Sequence, residues 1–462
     1  MAMQEDIKET TGQADFEALE EQITLGMEEY KVPGLAIGIL LGDQEYSNGF
    51  GVTNVDNPLP VTPDTLFQIG STTKTVTATT MMRLAEQGKV DLEAPVRQYI
   101  PDFKVQDEEA SANVKVKDLF THTAGWAGDF FIDTGWGDDA AAKYVARMAE
   151  LPQVTPLGSN WSYNNAAFTV AGRVIEVVTG KTYESVVKEL IFEPLGMKHS
   201  FFFPEEVMTY RFAAGHQVHP DGAKVARPWP IPRGSNAAGG ISTTIPDQFK
   251  YVRFQMGDGT AEDGTRLLKP ESLAFMQSTV FQIEEGGDAM GLSWMLFKAG
   301  GVPALRHGGG TNGQISAFMF IPDKKFALII TTNADKGIVL NAKLQTWILK
   351  NFLGLSEPEP EFVDLGAENL AEYAGLYTAM GSNSELSVKD GGLYLQMIPA
   401  NLLGSEETNA PPPPASELKF TAKDVGILQD GPFKGAKVVF RRKEDGSIAW
   451  LRMGSRIATR QG

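Results

Sequence analysis

The chain has 462 residues, no cysteine and a formal net charge of -17. That length supports more than one domain; the acidic balance argues against nucleic acid and anionic membrane surfaces; and the lack of cysteine excludes disulfides and thiol catalysis while leaving the redox compartment open. No apolar run approaches the roughly 20 residues that a bilayer span needs.

Residues 1–15 are polar and acidic, with no apolar core of a secretory leader, so the expectation is a cytoplasmic protein with a polar N-terminal extension. Met1-Ala2-Met3 leaves room for a leader having been replaced. Phe16 to Tyr30 has the periodicity of an amphipathic helix, and Gly34 to Leu41 with Glu45 to Phe50 forms a predicted hairpin across Gly42-Asp43. Phe67 to Gly70 is an extended approach to a helix that runs from Thr75 to Gln87 and stops at Gly88. Trp161-Ser162-Tyr163-Asn164-Asn165 precedes an apolar helical run from Ala166 to Val178. Arg306-His307-Gly308-Gly309-Gly310 leads into a strand from Gln314 to Ile321, a turn at Pro322-Asp323 and a returning strand from Phe326 to Thr332. A helix from Asn341 to Phe352 ends at Gly354.

After Gly354 the composition changes. Ser356-Glu357-Pro358-Glu359-Pro360-Glu361 is a charged, proline-punctuated linker. Six short β-rich runs follow: Gly375 to Thr378, Glu385 to Lys389, Gly392 to Met397, Glu417 to Thr421, Ala436 to Arg442 and Ile448 to Arg452. Their spacing and the Asp390-Gly391 and Asp445-Gly446 turns predict an up-and-down barrel or a sandwich, with Pro411 to Pro414 as a stiff spacer in a long loop.

Ser71-Thr72-Thr73-Lys74 places a nucleophile and a proton acceptor three residues apart, on one face of the first helical turn. A serine hydroxyl is a weak nucleophile until a neighbour takes its proton, and a lysine does so at neutral pH only when desolvation or nearby positive charge lowers its pKa. The unpaired amides of a helix start suit an oxyanion formed beside such a serine. Taken singly, the other candidates have ordinary readings. Tyr163 is then a buried aromatic, Asn165 the N-cap of the helix from Ala166, and Gly308 to Gly310 a flexible turn.

The ordered set S-x-x-K, Y-x-N and H-x-G resembles the penicillin-recognising serine hydrolases, in the branch of class C β-lactamases, D-Ala-D-Ala carboxypeptidases, D-aminopeptidases and β-lactamase-like esterases. Phe120-Thr121-His122-Thr123-Ala124-Gly125 is similar to that family's T-H-T segment, and Ala237 to Thr244 to its A-G-G segment. The resemblance implies a β-lactamase/transpeptidase-like α/β (α+β) fold over residues 16–354, an antiparallel sheet flanked by helices with a helical subdomain inserted and the active site between the two. A linker (355–362) and a lipocalin-like antiparallel β-barrel (363–462) follow, the barrel being implied by Glu372 to Tyr377. Ser71, Lys74 and Tyr163 are then catalytic, with either Lys74 or Tyr163 as the base. Asn165, His307, Gly309 and Gly310 bind substrate, the amides of Ser71 and Gly310 holding the oxyanion. No cofactor and no metal are expected. The implied partner is a small ester, peptide or amide substrate, and the barrel leaves assembly into homo-oligomers open.

His307 bears on specificity. Members devoted to β-lactams usually carry K-T-G there, whose lysine and hydroxyl hold a carboxylate. A histidine is charged only conditionally, with an unperturbed pKa near ~6.5, and Gly308 has no hydroxyl. The H-x-G form therefore implies ester or peptide hydrolysis with weak or no β-lactamase activity. A true β-lactamase and a non-catalytic penicillin-binding or ligand-sensing protein are the alternatives. His122 is expected to pack and hydrogen-bond. His216 and His219 lack an H-E-x-x-H context, and five histidines without cysteine make a structural zinc site improbable. The aromatic and acidic loop from Trp126 to Asp139 has two readings: a cleft wall for an apolar acyl group and a cationic amine, or a solvated surface loop.

Overall fold

The computed structural model describes residues 14–399 and 412–461. Most of the N-terminal extension (1–13) and the first proline of the Pro411–Pro414 spacer lie outside the described residues. In chain order the helices used below are α1 (Phe16–Tyr30), α2 (Thr73–Glu86), α3 (Asn165–Thr179), α4 (Ile245–Met256) and α5 (Gly337–Leu353). Strands β1 (Gly34–Leu41) and β2 (Gln44–Gly51) precede β3 (Phe281–Gln282), β4 (Ala289–Met290), β5 (Met295–Ala299), β6 (Val302–Gly310), β7 (Ile315–Ile321) and β8 (Phe326–Thr332). The barrel strands are β9 (Gly375–Ala379), β10 (Ser382–Lys389), β11 (Gly392–Pro399), β12 (Ser416–Ala422), β13 (Val425–Leu428), β14 (Lys437–Arg442), β15 (Ile448–Met453) and β16 (Arg456–Arg460).

The described chain divides into two compact units, one of residues 14–83, 187–231 and 239–358, the other of residues 84–186, 232–238, 359–399 and 412–461. In the first, β1 to β8 make one antiparallel sheet in the order β2-β1-β8-β7-β6-β5-β4-β3. The first strand is thus zipped to the last, with Leu35 opposite Thr332 and Leu41 opposite Phe326. Leu19 and Ile23 of α1 and Leu340, Leu344 and Ile348 of α5 bury against Ile37, Ile39, Leu328 and Ile330 of the sheet. Burial of such side chains contributes about 1.5–3 kcal/mol each. The predicted α1, hairpin and β7–β8 pair lie where the periodicity puts them. Helix α5 begins a turn before the predicted Asn341, because Gly337, Ile338 and Val339 are poor helix formers that mask its start.

Helix α2 is buried along most of its length despite being rich in threonine. Thr75, Thr77, Thr79 and Thr80 donate their hydroxyls to backbone carbonyls three or four residues back. Tyr251 and Gln255 of α4 complete the network at Thr75 and Thr79. Each buried hydroxyl is thereby satisfied, which lets a polar helix occupy a core position.

In the second unit, β9 to β16 close a barrel in simple consecutive order, the up-and-down alternative. Two of its strands escape the sequence pattern. β13 has only four residues and includes a glycine, and β16 begins and ends in arginine around the buried Ile457 and Ala458. Tyr373, Tyr377, Leu386, Leu395, Leu418, Phe420 and Phe440 fill the barrel core. At one end Arg442 donates to Asp424 at 2.9 Å, to Glu372 at 2.7 Å and to the Tyr373 hydroxyl at 3.2 Å. Replacing Arg442 by Met removes several charge-assisted bonds from a partly buried carboxylate. We expect a loss of about 1.5–3 kcal/mol, read as a lower urea midpoint; an unchanged midpoint would show the cluster to be ornamental.

Candidate active site

Ser71 lies in a single 3-10 turn, Gly70–Thr72, that runs directly into α2. Lys74, one turn on, points its Nζ to 3.0 Å from Ser71 Oγ. Lys74 is fully buried, so the amine is held on the serine by packing rather than left to sample solvent.

Strand β6 fixes the other side of the turn. Gly308, Gly309 and Gly310 pair with Ala317, Ser316 and Ile315 of β7, so these glycines form a regular strand instead of the flexible turn they suggest in isolation. At Gly309 and at Gly70, which faces Gly310, the lack of a side chain is demanded by contact. A Cβ on Gly309 would stand 1.9 Å from the Ile69 carbonyl oxygen and 2.6 Å from the Ser71 nitrogen, and one on Gly70, at φ 49°, would meet the Gly310 nitrogen at 2.6 Å. Ser316 Oγ donates to the Ile69 carbonyl at 2.7 Å and bonds Thr72 Oγ1 at 2.9 Å. Gln314 Oε1 accepts from the Gln68 amide at 3.0 Å. Together these bonds clamp the Ser71 turn onto the strand; the sequence gives no sign of Ser316 and Gln314 as clamps.

His307 is 1 % exposed, and its Nδ1 lies 2.7 Å from the Gly308 carbonyl oxygen. A carbonyl only accepts, so Nδ1 carries the ring proton and Nε2 the lone pair. Burial, reinforced by the charge of Lys74, pushes the imidazole down to about 3. His307 is therefore neutral at physiological pH.

Tyr163 and Asn165 belong to the second unit, at the start of α3. The cap is Asn164, whose Oδ1 accepts from the Ala167 amide at 2.9 Å, and not Asn165 as the ordinary reading had it. Asn165 is the first helical residue and donates through Nδ2 to Asp129 Oδ1 at 2.7 Å. Asp129 in turn takes a two-pronged ion pair from Arg456 of β16, at 2.7 and 2.9 Å. The Arg456 guanidinium also lies 4.5 Å from the centre of the Tyr163 ring, and the Tyr163 amide donates to the Ser455 carbonyl at 2.7 Å. The sequence reading missed Ser455 and Arg456 because nothing local in the barrel ties them to a distant tyrosine.

His122 packs and bonds as expected. Its φ is 58°, its ring stacks 4.2 Å from Tyr163, and its Nδ1 accepts from the Asn164 amide at 2.9 Å. His216 is spent on the Asn333 carbonyl and the Val55 amide. In the acidic loop, Phe131 and Trp136 are exposed. Asp129 is committed to Arg456 and Asn165, which removes it as a free anchor for an amine. Among the described residues no group of three or more His, Cys, Asp or Glu is placed to hold a metal ion, and no helix is long and apolar enough to cross a membrane.

A sequence model of the Beta-lactamase family matches residues 19–350, and the chain belongs to that family of serine hydrolases. Penicillin-binding protein 4 of Amycolatopsis lactamdurans is 32 % identical over 340 residues, covering 72 % of this chain and 88 % of that protein. Unguisins hydrolase ungD of Aspergillus violaceofuscus is 26 % identical over 352 residues, 68 % of this chain and 60 % of that protein. Among solved structures, the octameric penicillin-binding protein homologue from Pyrococcus abyssi superposes with a TM-score of 0.67 at 26 % identity, over 97 % of this chain and 100 % of that one. The barrel is thus part of the shared architecture.

Two outcomes are expected. Gly309→Ala forces a methyl group into the Ile69–Ser71 backbone, which should cost about 1–3 kcal/mol and at least ~100-fold in activity; a well-folded, fully active variant would dissolve the clamp. For His307, the folded pKa lies below the unfolded ~6.5, so between about 3 and 6.5 the unfolded chain binds the extra proton and stability falls as the pH is lowered. His307→Asn should flatten the decline measured by urea unfolding at pH 7 and pH 4.5. An identical decline in both proteins would mean that His307 is not neutral in the folded state.

Proposed function

We propose that the chain hydrolyses ester or peptide bonds through an acyl-enzyme on Ser71, with weak or no β-lactamase activity. The observation that carries this reading is the 3.0 Å contact between the buried Lys74 amine and Ser71 Oγ, at a turn whose amide lies against β6. Ser71 Oγ attacks the substrate carbonyl carbon, and its proton passes to Lys74 or Tyr163. Removal from water is the condition under which a lysine serves as a base at neutral pH. The oxyanion is held by the amides of Ser71 and Gly310, with Gly309 allowing the close approach. The alcohol or amine leaves with the returned proton, and water then cleaves the acyl-serine to release the acid. Asn165 orients Lys74 or the substrate carbonyl side.

The weak β-lactamase activity follows from His307. Neutral and without a neighbouring hydroxyl, it offers little to a β-lactam carboxylate. A relative named a hydrolase supports turnover, while one named a penicillin-binding protein keeps acylation by penicillin as the competing outcome. The octameric relative supports assembly of this chain into homo-oligomers, to be read by light scattering.

The test is paired turnover of p-nitrophenyl butyrate, D-alanine p-nitroanilide and nitrocefin. We expect the ester or the anilide to exceed nitrocefin by at least ~100-fold in kcat/KM. Ser71→Ala should abolish turnover, and Lys74→Met should lower kcat by about 10²–10⁴-fold. Nitrocefin as the best substrate would make the chain a β-lactamase; activity that survives Ser71→Ala would remove the serine mechanism altogether.

A further inference from the structure

Arg456, the first residue of β16, reaches the segment that carries Tyr163 and Asn165 by two routes, and all the residues involved lie in the second unit. Its side chain makes one bond within the barrel, to Ser455 Oγ at 2.6 Å. The barrel itself is closed by its strand pairs around an apolar core to which Arg456 does not belong. The guanidinium is spent outside its own fold.

The first route is direct. The guanidinium lies 4.5 Å from the centre of the Tyr163 ring, where the negative face of an aromatic attracts a cation. The His122 ring stacks on the same tyrosine at 4.2 Å, and the Tyr163 amide is tied to the Ser455 carbonyl at 2.7 Å. Backbone and ring are both held, which fixes where the phenol hydroxyl points.

The second route runs through Asp129. Its Oδ2 accepts from Arg456 Nε at 2.7 Å and its Oδ1 from Arg456 Nη2 at 2.9 Å. The same Oδ1 accepts from Asn165 Nδ2 at 2.7 Å. An ionised carboxylate only accepts, so the amide nitrogen of Asn165 faces Asp129 and its Oδ1 is turned the other way, as an acceptor. A lysine in place of Arg456 would give Asp129 no two-pronged bond and the tyrosine no planar face.

Resting on the hydrolase reading above, in which Tyr163 and Asn165 serve the acyl-enzyme at Ser71, we propose that Arg456 is a positioning residue for the reaction. It holds the Tyr163 phenol directly and the Asn165 amide through Asp129. The barrel thereby governs the rate of turnover as well as its own stability.

The test uses whichever of p-nitrophenyl butyrate and D-alanine p-nitroanilide the wild type turns over. Arg456→Met should lower kcat at least tenfold with KM within threefold, the pattern of a group that acts on the chemical step rather than on binding. Its cost should be at least threefold smaller in a Tyr163→Phe or an Asn165→Ala background than in the wild type, because the groups it positions are then already gone. Should Arg456→Met melt early because Asp129 is left unpaired, Arg456→Met/Asp129→Asn removes both charges and carries the same expectation. A loss confined to KM, no loss, or a cost equal in all three backgrounds overturns the positioning role. Hydrogen exchange over residues 161–167 separates this question from catalysis: Arg456→Met should speed it at least threefold while residues 172–179 exchange as in the wild type. Faster exchange there with neither substrate turned over supports the positioning and defeats the hydrolase reading alone; unchanged exchange overturns the positioning.

Discussion

Everything at the serine depends on two stretches of backbone lying closer than side chains permit. The Ile69–Ser71 turn and the Gly309–Gly310 end of β6 touch main chain to main chain, so the amides beside the nucleophile are set by the sheet and not by a mobile loop. Ser316 and Thr72 reinforce the contact from within. A site built this way exchanges conformational freedom for fixed donors, the arrangement that favours developing charge without reorganisation at the moment of reaction.

The threonine-rich character of α2 belongs to the same design. A helix carrying the nucleophile and a buried amine must be rigid, yet it is surrounded on its faces by protein rather than water. Hydroxyls that return to their own backbone satisfy the polarity locally. The amphipathic stripe that marks a surface helix is accordingly weak in α2.

How much of this is legible in the sequence varies with the range of the interaction. Ser71 and Lys74 are readable because a three-residue spacing on a helix is a local fact, and β7 and β8 are readable from alternation and a turn. Asn164 and Asn165 cannot be told apart as cap and first helical residue, since either side chain can cap; the Gly128 carbonyl, which accepts from the Asn165 and Ala166 amides, decides it. Arg456 is illegible for a different reason. Its partners Asp129 and Tyr163 are remote in the chain, and an arginine beginning a short strand reads as an exposed edge residue. Short strands such as β13 vanish for want of pattern, although the barrel they complete is announced by its neighbours.

The pairing of β1 with β8 has a consequence for the birth of the protein. The two strands are about three hundred residues apart, so on a ribosome the N-terminal hairpin is complete long before its partner exists. Contacts of that separation are slow to form because the loop entropy is lost before the pairing rewards it. The barrel is the reverse case, each strand meeting its sequence neighbour. Synthesis therefore delivers the locally wired barrel after the sheet, while β1 waits with one apolar edge unpaired, the species that chaperones bind.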